Sequence, residues 1–243
     1  PPRSSMPMLD FTQLDPSKIT LGATGRNSKG GKYVPLLYNG KDAIETKLHM
    51  GLDAPVRCPF GLDTPMEEDA GPKLKLPIAL PPALEATVRA LDEAIPKLVA
   101  PRAAELFGGP KTELQLLDAY KPLFKPATKE GHAALSALKV KWSSSHEDVK
   151  KHGKPTPVKL VTKVDESQAY VKGDSEALVK NCGVVAQVRL GSVWVTGKTA
   201  FGVTLEAVEL FVYPPADAPS LADLFELPAI DDDEPSAKKQ RAD

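Results

Sequence analysis

The sequence predicts a mainly β protein of the α+β class, a small five-stranded barrel with a helical insertion at about residues 82–120. Three observations predict it. Cys182 to Pro214 reads as two long alternating runs joined by a glycine-containing turn, which is a β-hairpin pattern. Shorter strand-like runs precede it on both sides of the insertion. Only from Pro82 does the apolar spacing change to the helical period, and the strands resume after it, so one β-domain is interrupted rather than followed by helices.

Taken in order, residues 1–17 form a proline- and serine-bearing flexible arm, and residues 18–215 form the domain. Lys18 to Gly22 is a first strand, and residues 23–32 (ATGRNSKGGK) are a loop rich in glycine and cations. Tyr33 to Tyr38 is a second strand, with Pro35 marking an edge or a bulge. Asn39-Gly40 is a strong two-residue hairpin signal, with Ile44 to Met50 as the expected return. Residues 73–80 alternate briefly.

In the insertion, Leu84, Val88, Leu91 and Ile95 make one apolar stripe, and Pro96 is expected to kink or split the helix. Gly108-Gly109 ends it, and Thr112 to Tyr120 is a second, shorter helix. Leu135 to Trp142 and Val158 to Val164 are strands on either side of a polar loop, and Ser175 to Val179 is a single helical turn. The closing hairpin places Val184, Ala186, Val188 and Leu190 on one face. Residues 216–243 form an acidic, disordered tail ending in a basic cluster. A five-stranded barrel of the oligonucleotide-binding type (an OB-like fold) suits this strand count and carries its ligand on an open face.

Composition is that of an ordinary globular chain, and the net charge of -1 conceals segregation. Residues 139–163 hold seven lysines against Glu147 and Asp148, whereas residues 217–234 hold seven acids and no base. A basic body with an acidic tail sums to zero and still carries a basic groove. Cys58 and Cys182 lie far apart in sequence with no C-x-x-C, so no disulfide framework is expected and a reducing compartment is. No run approaches the roughly 18 apolar residues of a membrane span, and no apolar leader opens the sequence.

No catalytic set emerges: no nucleophile motif, no metal-ligand spacing among the four histidines, and no cofactor loop. Residues 22–32 (GATGRNSKGGK) fail the phosphate-loop pattern, because Arg26 stands where that pattern needs glycine and Tyr33 follows the lysine. An enzyme is not expected.

The residues instead suit single-stranded nucleic acid, which needs cations for phosphates and aromatic faces for bases. Arg26, Lys29 and Lys32 flank Tyr33 and Tyr38. The two tyrosines are an odd step apart, so a regular strand points them to opposite faces. Lys139, Lys141 and Lys159, with Trp142, make a second basic and aromatic stripe. Arg189 is the polar exception on its strand, and Trp194 stands beside a turn. The plainer alternatives are a solvated lysine face and core aromatics. In the tail, Leu224 and Phe225 precede Asp231, Asp232 and Asp233, a segment able to dock its apolar side in a partner while its charge is read by basic residues. Lys238, Lys239 and Arg241 resemble a nuclear-import signal.

Three pieces together carry a family resemblance: residues 18–40 (KITLGATGRNSKGGKYVPLLYNG), Cys58 to Leu62 (CPFGL), and Val184 to Val212 with its V-W-V-x-G-K-x-x-F-G-V-T core. This layout resembles the single-stranded-DNA-binding proteins of large nucleocytoplasmic DNA viruses and, more distantly, phage proteins with an oligonucleotide-binding barrel and an acidic tail. The resemblance implies sequence-tolerant binding in replication, recombination or repair, a tail that contacts replication or repair proteins, and a nuclear or viral replication compartment. Such tails end on their acids with a terminal aromatic, whereas here Phe225 precedes the acids and KKQR follows them. RNA in place of DNA, a homo-oligomer, and a non-enzymatic β-rich virion or adaptor protein stay open as alternatives.

Overall fold

In the computed structural model, residues 9–27, 30–42, 44–48, 55–63, 73–141, 154–164, 167–197 and 199–215 are described. Strands β1 (Leu9–Asp10), β2 (Ile19–Leu21), β3 (Gly25–Arg26), β4 (Lys32–Val34), β5 (Leu36–Tyr38), β6 (Lys41–Asp42), β7 (Ile44–Leu48), β8 (Val56–Cys58) and β9 (Lys73–Ala79) come first. Helices α1 (Pro82–Val99), α2 (Ala103–Phe107) and α3 (Glu113–Ala119) follow. Then come β10 (Tyr120–Lys121), β11 (Leu135–Lys141), β12 (Val158–Val164), β13 (Ser167–Gly173), β14 (Cys182–Leu190), β15 (Val193–Thr196), β16 (Ala200–Gly202) and β17 (Leu205–Tyr213). The chain is mostly β with a helical insertion between β9 and β10.

The strand pairing is richer than a five-stranded barrel. A 9-stranded sheet runs β1-β7-β14-β17-β11-β9, with β8 on β14 and the β12–β13 hairpin on β17. A 5-stranded sheet runs β10-β16-β15-β4-β3, and a 3-stranded one β2-β5-β6. Among the described residues no ladder closes the large sheet. Its β8 side meets β9 through a hydrogen bond from Asp63 N to Lys75 O at 2.9 Å.

The extra strands arise because the closing hairpin changes sheets. β14 and β17 pair from Gly183↔Tyr213 to Leu190↔Leu205, with a register shift between Gln187 and Val188. Beyond Leu190 the two arms continue as β15 and β16, which pair with β4 and β10 instead. At the corner Gly191 N donates to Thr204 O at 2.7 Å. A Cβ on Gly191 would lie 2.8 Å from Thr204 Oγ1, so only glycine lets the arms cross this closely. Such corners are how strands pass between packed sheets. Pro35 plays a similar part, separating β4 in one sheet from β5 in another.

One core holds the elements together. Val184, Ala186, Val188 and Leu190 of β14 meet Leu205, Leu210 and Val212 of β17, Leu138 and Val140 of β11, and Leu76 and Ile78 of β9. The helical stripe Leu84, Val88, Leu91, Ile95 and Val99 is fully buried in the same cluster. Each such side chain contributes roughly 1.5–3 kcal/mol on burial. α1 runs on through buried Pro96 and is not split there. The proline removes one backbone donor, and Ile95 and Val99 on either side stay packed; the break comes later, at the 3-10 turn Ala100–Arg102. Gly108, at φ 76, ends α2. Thr112 and Gln115 form a reciprocal capping box on α3.

Asn39 and Gly40 both have positive φ, 51 and 74, as a type I′ turn requires. The turn joins Tyr38 to Lys41, and the expected return strand, β7, crosses to pair with β14. Of the arm, residues 9–17 are packed on the domain: Leu9 pairs with Thr46 and Phe11 is fully buried. Cys58 and Cys182, far apart in sequence, are free, buried register partners on β8 and β14. Their mutual hydrogen bond and burial push the Cys58 thiol well above the usual range.

Candidate nucleic-acid interface

The large sheet has a seam. β17 offers one edge to two parallel strands in turn: β11 through Leu138↔Leu205 and Lys139↔Glu206, then β12 through Val158↔Leu210 to Leu160↔Val212. Between these ladders, residues 154–157 bridge the gap. Thr156 pins them, with its N donating to Lys141 O at 2.9 Å, its hydroxyl accepting from Lys141 N at 3.0 Å and donating to Ala207 O at 3.3 Å. Pro157 O accepts from Leu210 N at 3.0 Å.

Three depressions follow this seam. A central one of about 180 Å³ is lined by Lys139, Lys141, Lys154, Arg189 and Glu206, among others. A second, about 450 Å³, shares Lys141 and Pro155 to Pro157 with it and extends to Lys159, Tyr170 and Lys172. A third, about 600 Å³, shares Lys139, Arg189 and Glu206 and extends to Pro35 and Trp194. Six basic side chains line this track (Lys139, Lys141, Lys154, Lys159, Lys172, Arg189) against two acids, Glu206 and Asp174.

Register concentrates the charge further. Lys139 stands opposite Lys75 across β11 and β9, and Lys159 stands opposite Lys172 across β12 and β13. Like charges placed directly opposite destabilise a sheet. Lys159 is partly neutralised, its Nζ lying 2.7 Å from Glu209 and 5.0 Å from the centroid of the Phe211 ring.

The residues singled out from sequence divide accordingly. Lys139, Lys141, Lys159 and Arg189 come together along the seam. Arg26 is exposed on β3 and belongs to the 5-stranded sheet. Lys32 points to α2, where its ammonium donates to the carbonyls of Glu105 (2.5 Å) and Leu106 (3.1 Å), a helix-end role. Tyr33 is exposed and pairs in register with Trp194. Tyr38 lies in a different sheet, packs on the core, and accepts from Asp15 N at 3.4 Å through its hydroxyl. Lys29, Trp142, Leu224, Phe225, Asp231, Asp232, Asp233, Lys238, Lys239 and Arg241 lie outside the described residues.

Sequence reasoning passed over Tyr170, Lys172 and Phe211. Tyr170 and Phe211 form a T-shaped pair with ring centroids 5.2 Å apart. The signal was the alternation of β13, which hides between residue runs of mixed polarity. No group of metal-ligating side chains occurs among the described residues.

No protein-family model matches the chain, and no curated protein matches it. Among solved structures, it is similar to the single-stranded DNA-binding protein from bacteriophage Enc34 in complex with ssDNA, at 12% identity and a TM-score of 0.39, over 82% of this chain and 97% of that chain. A second structure of the same phage protein gives 13% identity and a TM-score of 0.37, over 83% of this chain and 93% of that one. At TM-scores below 0.5 the likeness carries neither fold nor ligand over to this chain.

Proposed function

We infer that the chain binds single-stranded nucleic acid, with little regard to sequence, along the β11/β12 seam of the large sheet. The observation that carries this reading is the run of six cations, Lys139, Lys141, Lys154, Lys159, Lys172 and Arg189, against two acids along three connected depressions. A phosphate backbone is the polyanion that such a run of cations attracts. Lys139, Lys141, Lys154 and Arg189 hold phosphates in the central groove, and exposed Tyr33 with Trp194 offers aromatic surface at one end. A duplex hides its base faces and does not profit from that surface. On this reading the large sheet is an oligonucleotide-binding barrel left open between β8 and β9. Protection of single strands in replication, recombination or repair, recruitment of partners by residues 216–243, and a nuclear or viral replication compartment belong to the same proposal.

The experiment is fluorescence anisotropy of a labelled dT oligonucleotide, against duplex of equal length, over a salt series. The chain is expected to prefer the single strand. Lys139→Glu with Arg189→Glu should weaken binding and reduce the salt slope by about 1.4, at roughly 0.7 for each phosphate no longer neutralised. Absence of binding at low salt would sink the proposal and leave a β-rich adaptor with a solvated lysine face.

A further inference from the structure

We propose that the cleft between the β12–β13 hairpin and residues 155–157 receives one nucleobase of the bound strand, with Tyr170 as its stacking wall. This rests on the single-strand reading and deepens it by assigning where a base leaves the strand. The cleft, about 450 Å³, is walled by Val140, Pro155, Pro157, Val158, Val171 and Tyr170, while Lys141, Lys159 and Lys172 stand around it. An apolar slot ringed by cations suits a flat aromatic carried on an anionic backbone. An apolar peptide side chain would make no use of the surrounding cations, which outnumber the one lining acid, Asp174, three to one.

Three observations favour a base. The cleft is continuous with the phosphate groove, because Lys141, Pro155, Thr156 and Pro157 line both. Tyr170 and Val171 are large apolar residues at 53% and 52% exposure, on a strand paired only on its β12 side among the described residues. The Tyr170 ring is also held in place, edge-on to Phe211 at 5.2 Å, and Phe211 lies under the Lys159 ammonium. A pre-oriented ring loses little freedom when a base stacks on it.

The test compares a dT oligonucleotide with an abasic one of the same length, which keeps every phosphate and lacks the bases. Anisotropy is read for the full chain, Tyr170→Phe, Tyr170→Ala and Tyr170→Lys. Tyr170→Ala should weaken dT binding about 5- to 150-fold, leave abasic binding unchanged, and keep the salt slope. Tyr170→Phe should bind like the parent. Tyr170→Lys adds a cation, so its ratio of dT to abasic affinity should fall even where total binding does not. Equal losses on both oligonucleotides, or no loss on dT, overturn the base pocket while the phosphate track stands. Failure of the parent chain to bind either oligonucleotide overturns both readings.

Discussion

Trp194 lies over Gly202: a Cβ placed on Gly202 would come 2.8 Å from Cζ2 of the indole and 2.9 Å from Lys121 O. The two residues are register partners on β15 and β16. Tyr33 covers Gly25 in the same way toward the other edge of the sheet, its nearest ring atom 2.5 Å from the notional Cβ. The row Gly25, Tyr33, Trp194, Gly202 therefore sets two adjacent rings between two bare glycines, each ring covering the glycine beside it, an arrangement known to rescue glycine in strands.

Gly202→Ala follows from this. The indole can tilt, but a backbone carbonyl on β10 cannot, so the substitution should destabilise the chain by about 1–3 kcal/mol. Thermal melts read it as a drop of roughly 2–12 °C. Gly109→Ala, where nothing lies within 4 Å of the notional Cβ, serves as the control and should cost far less. Equal melting points for the two variants would remove the steric account.

Asp92 of α1 fastens the stretch after α3. Its Oδ1 accepts from Tyr120 Oη at 2.7 Å and Leu123 N at 2.9 Å, and its Oδ2 accepts from Phe124 N at 2.8 Å. Arg89 lies 3.7 Å from the centroid of the Phe124 ring, closing the same clasp. Asp92→Ala strands three donors and should cost about 2–4 kcal/mol in urea unfolding; Tyr120→Phe removes one and should cost about 1 kcal/mol. The midpoint should move while the denaturant slope stays constant.

Acid should loosen the contact between the 22–32 region and α2. Arg102, by its hydrogen bonds, and then Thr24 hold the Glu105 carboxyl at about 2, from an ordinary 4.5. The folded value lies below the unfolded one. The contribution is therefore fully present above about pH 4.5 and is lost as pH falls through about 2. Glu105→Gln should flatten the stability profile in that window and nowhere above it. Salt should shrink the difference, because the carboxylate is largely exposed. Parallel acid limbs for the two proteins would assign the transition to other groups.

What the sequence makes legible is local. The positive φ that Asn39-Gly40 requires, the α1 stripe, and the two faces of β14 and β17 are each determined within a few residues, and each is present. What escapes is pairing at a distance. Alternation through Val193–Thr196 looks the same whether the strand stays with β17 or leaves for β4. Nothing near Cys58 announces Cys182 opposite it, and nothing near Lys32 announces the carbonyls of α2. The candidate site divides along the same line. Lys139, Lys141, Lys159 and Arg189 stand out as cations on alternating strands, whereas Tyr170 becomes notable only once β13 is folded against β12 and Phe211.

The seam itself supplies the last prediction. β11 and β12 share one edge of β17, and Thr156 is the side chain that spans the change of partner. The residue is 8% exposed, and its hydroxyl bonds to both sides, Lys141 N and Ala207 O. Thr156→Val keeps the shape and removes both bonds, leaving a backbone donor and an acceptor without partners, at a cost of about 1–3 kcal/mol. The same change frees the floor of the central groove, so the lysines around it lose their fixed spacing. Single-strand affinity should then fall while the salt slope stays unchanged, because no cation has been removed. Thr156→Ser retains the hydroxyl and should restore most of both stability and affinity. If Thr156→Val lowers stability but leaves affinity intact, the phosphate contacts lie away from the seam.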